Sequence, residues 1–110
     1  MTVSKDLVAA LSPIGLPVEL DVYTGSKSAY ITVNYDLIPA QVADNRPLFW
    51  RALIQVHLVC PLDVSFSAWR EGVLTALATG GYSVPEIVDA TDDTARHLVF
   101  ETETITKMEV

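Results

Sequence analysis

The stretch Trp50-Arg-Ala-Leu-Ile-Gln-Val-His-Leu-Val-Cys60, closed by Pro61, decides the fold. Side chains along a strand point alternately to opposite faces. Trp50, Ala52, Ile54, Val56, Leu58 and Cys60 therefore share one side, and Arg51, Leu53, Gln55, His57 and Val59 the other. The first set is apolar throughout and the second is mixed. This is the pattern of a central strand with one face against a core and the other only partly covered. Pro61 has no N–H to give to a ladder and ends the run.

Upstream, the stretch from Asp36 to Pro47 loses periodicity and contains Pro39, Asn45 and Pro47. It reads as a loop, longer than the usual connection of about 4 to 6 residues. Before it, Ala29 to Tyr35 reads as a strand. Val18, Leu20 and Val22 alternate with Glu19, Asp21 and Tyr23, a half-buried strand. Gly25 with its Ser and Lys neighbours supplies a turn, so these two strands are expected to pair as a hairpin. Ser4 is placed to cap a short helix carrying Leu7, Val8 and Leu11, which Pro13, Gly15 and Pro17 then stop.

Downstream, Asp63 or Ser65 is expected to cap the main helix, whose inner face carries Trp69, Val73, Ala76 and Leu77. Gly80 and Gly81 offer a left-handed exit. Two further strands are expected, roughly Ser83 to Asp89 and Arg96 to Glu103, joined by a turn at Asp92 and Asp93. The order is αβββαββ. It predicts one α+β domain spanning residues 1–110, with a single antiparallel or mixed sheet and two helices packed on one face. The opposite face, with Leu53 and Val59 among polar neighbours, is left for another surface, and uncovered apolar area of that kind marks a contact region. Oligomerisation is the expectation.

Half of the 110 residues are hydrophobic, enough for a core, and the formal net charge is -7. The segment from Glu86 to Val110 holds seven acids against Arg96 and Lys107. Binding nucleic acid by its phosphates needs clustered Lys and Arg, so composition argues against a nucleic-acid grip. The apolar runs are far shorter than the roughly 20 residues that cross a bilayer. The N-terminus lacks the basic start and apolar stretch of a secretory signal, and the expected compartment is the cytoplasm, with which a lone Cys60 agrees.

Few residues offer chemistry. His57 and Cys60 are three apart on a strand and point to opposite faces, so they do not share a metal ion without a bulge. His57 and His97 can meet across neighbouring strands, with Glu101 on the same face as His97, an arrangement like a base with an orienting acid. No nucleophile or Gly-rich oxyanion loop accompanies them, and histidine in a mixed strand is more plainly a partly buried side chain with a hydrogen-bond partner. Cys60 has no basic neighbour in sequence and reads as an inert thiol. Gly80 and Gly81 follow a helix and precede a strand, the reverse of a phosphate-binding loop. No catalytic, cofactor or metal residue is therefore assigned. Trp69 reads as core. Trp50, flanked by Phe49 and Arg51, is equally suited to a contact surface.

Five stretches also carry a resemblance: Tyr30-Ile-Thr-Val-Asn-Tyr35, Ala43-Asp-Asn-Arg-Pro-Leu48, Ile54-Gln-Val-His-Leu-Val-Cys-Pro61, Gly81-Tyr-Ser-Val-Pro-Glu-Ile87 and Arg96-His-Leu-Val-Phe-Glu101. Their order and spacing, from about Leu16 to Glu103, resemble the small tail terminator, or tail completion, proteins of long non-contractile-tailed bacteriophages. The resemblance implies a structural virion protein assembled in the bacterial cytoplasm. It would form a homo-hexameric ring on the head-proximal end of the tail tube, stop tube growth, and dock the head connector or stopper protein. DNA would pass through the ring as cargo. Asp44, Arg46 and Arg51 are the expected polar members of the contact patches, with Phe49 and Trp50 as apolar members. The segment Asp36 to Phe49 departs from the family's more acidic form, carrying Leu37, Ile38, Pro39 and Arg46. The alternatives are another neck component, such as a head completion or stopper protein, or a small ligand-binding or catalytic domain built on His57, His97 and Glu101.

Overall fold

The computed structural model describes residues 2–43 and 46–107, with backbone alone over 41–43 and 46–48. Its elements are α1 (Val3–Leu11), β1 (Val18–Leu20), β2 (Tyr30–Ala43), β3 (Arg46–Cys60), α2 (Ser67–Thr79), β4 (Glu86–Asp89) and β5 (Arg96–Thr106). The order is the αβββαββ expected of an α+β domain. The strands form one mixed sheet in the order β1-β2-β3-β5-β4.

The alternation in β3 sorts its side chains as the sequence requires. Ala52, Ile54, Val56, Leu58 and Cys60 are buried. Across the ladders, Ile31 and Val33 of β2 lie opposite Leu58 and Val56, and Leu98 and Phe100 of β5 lie opposite the same two residues. Both helices pack on this face: Val3, Leu7 and Leu11 of α1 and Val73 and Leu77 of α2 join the sheet residues in one core. Each such side chain contributes about 1.5–3 kcal/mol by leaving water. Trp69 and Ala76 pack at its margin.

Four expectations are corrected. First, β1 and β2 pair in parallel, Val18 opposite Ile31 and Leu20 opposite Val33, and do not form a hairpin. Parallel neighbours usually need a crossover of a dozen or more residues. Because β1 is only three residues long, the segment 21–29 suffices to bring the chain back. Second, the expected loop after Asp36 is strand: β2 runs on to Ala43 and pairs with β3 as far as Arg46, with register shifts around Gln41. Pro39 is tolerated there because of backbone parity. The amide of Ile31 donates to the Pro17 carbonyl, and the Val33 carbonyl accepts from Asp21. Odd-numbered β2 residues thus turn their backbone groups away from β3, and Pro39 gives up an N–H on the outer edge only.

Third, α1 is capped by Thr2, whose hydroxyl accepts from the Lys5 amide at 3.3 Å, and not by Ser4. Fourth, α2 begins after Phe66 without a side-chain cap. Ser65 instead donates to the Ser67 hydroxyl at 3.4 Å. At the far end of α2 the left-handed residue is Gly81, with φ 82°. The extended β2–β3 hairpin makes the molecule long, 54 × 25 × 24 Å.

Candidate functional site

The helices cover one face of the sheet, and the residues on the other face follow from the registers. Glu86, Glu101, Gln55 and Asn34 form one row across β4, β5, β3 and β2. Glu103, Leu53 and Asp36 form the next, and Ile105, Arg51 and Ile38 the one after. On the other side of the first row lie Val88, Val99, His57 and Thr32, then His97, Val59 and Tyr30. Glu86, Glu101, Glu103 and Asp36 are exposed, and with Asp21 they line a shallow trough of about 710 Å³. Arg51 is the one cation paired there among the described residues, its Nε 3.4 Å from a Glu103 carboxylate oxygen. This face is therefore acidic at its middle and flanked by the apolar Ile38 and Ile105, both exposed.

His57 and His97 do meet. Nδ1 of His57 and Nε2 of His97 are 2.8 Å apart, one donating to the other, with ring centroids 5.1 Å apart and planes at 40°. They sit on adjacent strands as a diagonal pair, His57 opposite Val99 and Val59 opposite His97. Burial, and secondarily the charge of His97, hold the His57 imidazole below the ordinary value of 6.5. The pair borders an open hollow of about 410 Å³ that Asp21, Tyr23, Tyr30 and Asn34 also line. Tyr23 is held there by stacking on Tyr30, ring centroids 4.3 Å apart. Asp21 takes a positive φ of 62°, which a short polar side chain tolerates.

Glu101 does not join the histidines. It lies opposite Gln55 and borders the acidic trough, whereas the histidines border the other hollow. The three side chains do not converge on one concave surface, and the base-plus-acid arrangement is not assembled. Among the described residues no group of three or more His, Cys, Asp or Glu is placed to hold a metal ion. Cys60 is buried on the helix side, away from His57, and burial raises its thiol pKa above the usual range. It lacks the activation a nucleophile needs.

The expected contact residues separate by strand parity. Arg51 is exposed on the helix-free face, and Trp50, half-buried opposite Thr106, points to the helix side. Phe49 is half-buried, and Lys107 Nζ lies 5.1 Å from its ring centroid. Phe49, Trp50 and Arg51 thus contribute to two surfaces. Asp44 lies outside the described residues, and of Arg46 only the backbone is described. The exposed Ile38 and Ile105 beside Arg51 were not read as contact residues in the sequence. Their signal was available in the odd-even alternation of β3 once its neighbours' registers are known.

No protein-family model matches the chain, and no curated protein matches it. Among the solved structures that match, one superposes with a TM-score of 0.57 at 17% sequence identity, covering 91% of this chain and 86% of the other. The likeness shows a shared fold. At 17% identity the likeness carries no activity across.

Proposed function

We propose that this protein is the tail terminator of a long non-contractile-tailed bacteriophage: a non-catalytic virion component that assembles as a homo-hexameric ring on the head-proximal end of the tail tube. The observation that carries the reading is the helix-free sheet face, continued along the β2–β3 hairpin, on a chain whose strand motifs resemble that family. A sheet with one face uncovered and a β2–β3 arm that runs past the β5 ladder has two distinct surfaces to offer. A cyclic ring requires that: each contact is heterologous, one patch on a subunit meeting a different patch on the next.

Mechanism in this reading is binding alone. The growing tube presents a ring of subunit edges, and the terminator ring covers them so that further tube protein cannot add. Interface burial supplies the energy, and a stable contact of this kind removes roughly 1,200–2,000 Å² from water. The head connector or stopper protein then docks on the free side. The acidic middle of the helix-free face suits a surface past which DNA moves, since like charge lets a polyanion slide without sticking. This leaves the apolar flank at Ile38 and Ile105 and the hairpin arm for the subunit contacts.

The deciding experiment assembles tail tubes from the cognate tube protein with and without this chain and measures their lengths by negative-stain electron microscopy. Tubes that stop growing and carry a ring at one end are the expected result. Tubes that elongate unchanged and bear no cap would sink termination and transfer the assignment to a portal-side neck component.

A further inference from the structure

We propose that His57 and His97 form a two-point chelate for a divalent first-row cation of the copper(II) and nickel(II) class. The inference is independent of the ring reading, since it rests on the histidine pair and its hollow alone.

Imidazole nitrogen suits zinc, copper and nickel, and the geometry selects among them. The two nitrogens that face each other, His57 Nδ1 and His97 Nε2, are 2.8 Å apart. With metal–nitrogen bonds of about 2.0–2.1 Å, that separation corresponds to an angle at the metal of roughly 85–90°. This is the cis angle of a square-planar or octahedral ion. A tetrahedral zinc ion needs the nitrogens to be several tenths of an ångström further apart than they stand here. The rings are already tilted at 40° to one another, so a rotation of each ring turns both lone pairs toward one point beside the present hydrogen bond.

The proton balance is simple. In the free protein one facing nitrogen carries a proton and donates it to the other. On binding, that proton moves through solvent to the far nitrogen of its own ring, leaving both rings neutral and both facing nitrogens free to coordinate. The hollow supplies room for the remaining ligands, which are water. The cation would bridge β3 to β5 on the helix-free face.

The test titrates nickel chloride calorimetrically into the full chain at neutral pH in a non-coordinating buffer. The expected result is one ion per chain, with affinity reduced at least tenfold by His57→Ala or His97→Ala and abolished by the double variant. Saturable binding that survives the double variant, or no binding to the unaltered chain, overturns the proposal. A second measurement needs no variant: pulsed electron paramagnetic resonance of the copper(II)-loaded chain counts coordinated imidazoles. Two support the chelate, and one or none refutes it.

Discussion

The Tyr82 phenol donates a hydrogen bond to the Asp6 carboxylate, joining the turn after α2 to the first turns of α1. Tyr82 is buried and belongs to the core, so this bond ties the two helices together on the sheet. Burial first, then the bond to Asp6 and its charge, push the phenol pKa far above its ordinary 10.0. Tyr82→Phe removes a bond to a charged group, worth about 1.5–3 kcal/mol. Urea unfolding of the variant is expected to show a loss of that size. The sign in alkali follows from linkage: above pH 10.0 the unfolded chain releases the phenolic proton and the folded chain does not. Stability of the unaltered protein therefore falls as pH rises past that value, and this component is absent from the variant.

The histidine pair predicts an acid dependence. His57 is depressed in the folded state relative to 6.5, so below that pH the unfolded chain binds the proton more readily than the folded one. The stability it confers is complete above pH 6.5 and is lost as pH falls toward the folded value. Thermal melts between pH 8 and pH 5 should show a decline that His57→Gln flattens. An unchanged profile in that variant would mean that His57 does not report on folding.

Arg51→Glu separates folding from assembly. Arg51 and Glu103 are each about half exposed, at 48% and 47%, and exposed pairs contribute only about 0–1 kcal/mol. The monomer should keep its unfolding free energy, from urea titration, within that margin, while tube capping seen by electron microscopy is lost. Capping that persists would remove Arg51 from the contact surface.

Burial predicts a contrast between two β5 residues. Phe100 is fully buried, and Ile105 is 57% exposed. Phe100→Ala should cost about 3–5 kcal/mol of folding stability. Ile105→Ala should stay within about 0.5 kcal/mol, the usual range for surface positions. If Ile105 lies in a subunit contact, its variant should instead reduce capping.

Much of this architecture was legible in the chain. The period-two pattern of Trp50 to Cys60 identified the central strand and its inward set, and the helix faces carrying Leu7, Leu11, Val73 and Leu77 were read from their spacing. Periodicity reports which way a side chain faces and is silent on strand direction, so Val18 to Leu20 was paired antiparallel to β2 when it runs parallel. Pro39 was read as a loop residue because a proline breaks a ladder from within; on an outer edge it breaks nothing. The meeting of His57 with His97 was accessible because both lie on one face of adjacent strands. The separation of Glu101 was not, because it depends on the register that sets it opposite Gln55.

The β2–β3 hairpin also shapes the route by which the chain reaches its fold. Its rungs run from Ala43 opposite Arg46 to Tyr30 opposite Val59, so every rung after the first extends a loop that is already closed. The entropic cost of each step stays small, since loop-closure cost grows only slowly with length. The rungs nearest Ala43 and Arg46 join residues close in sequence, the kind of contact that favours fast folding. The hairpin can therefore zip from its tip and stand as the template on which β5, returning from beyond α2, completes the core with Phe100.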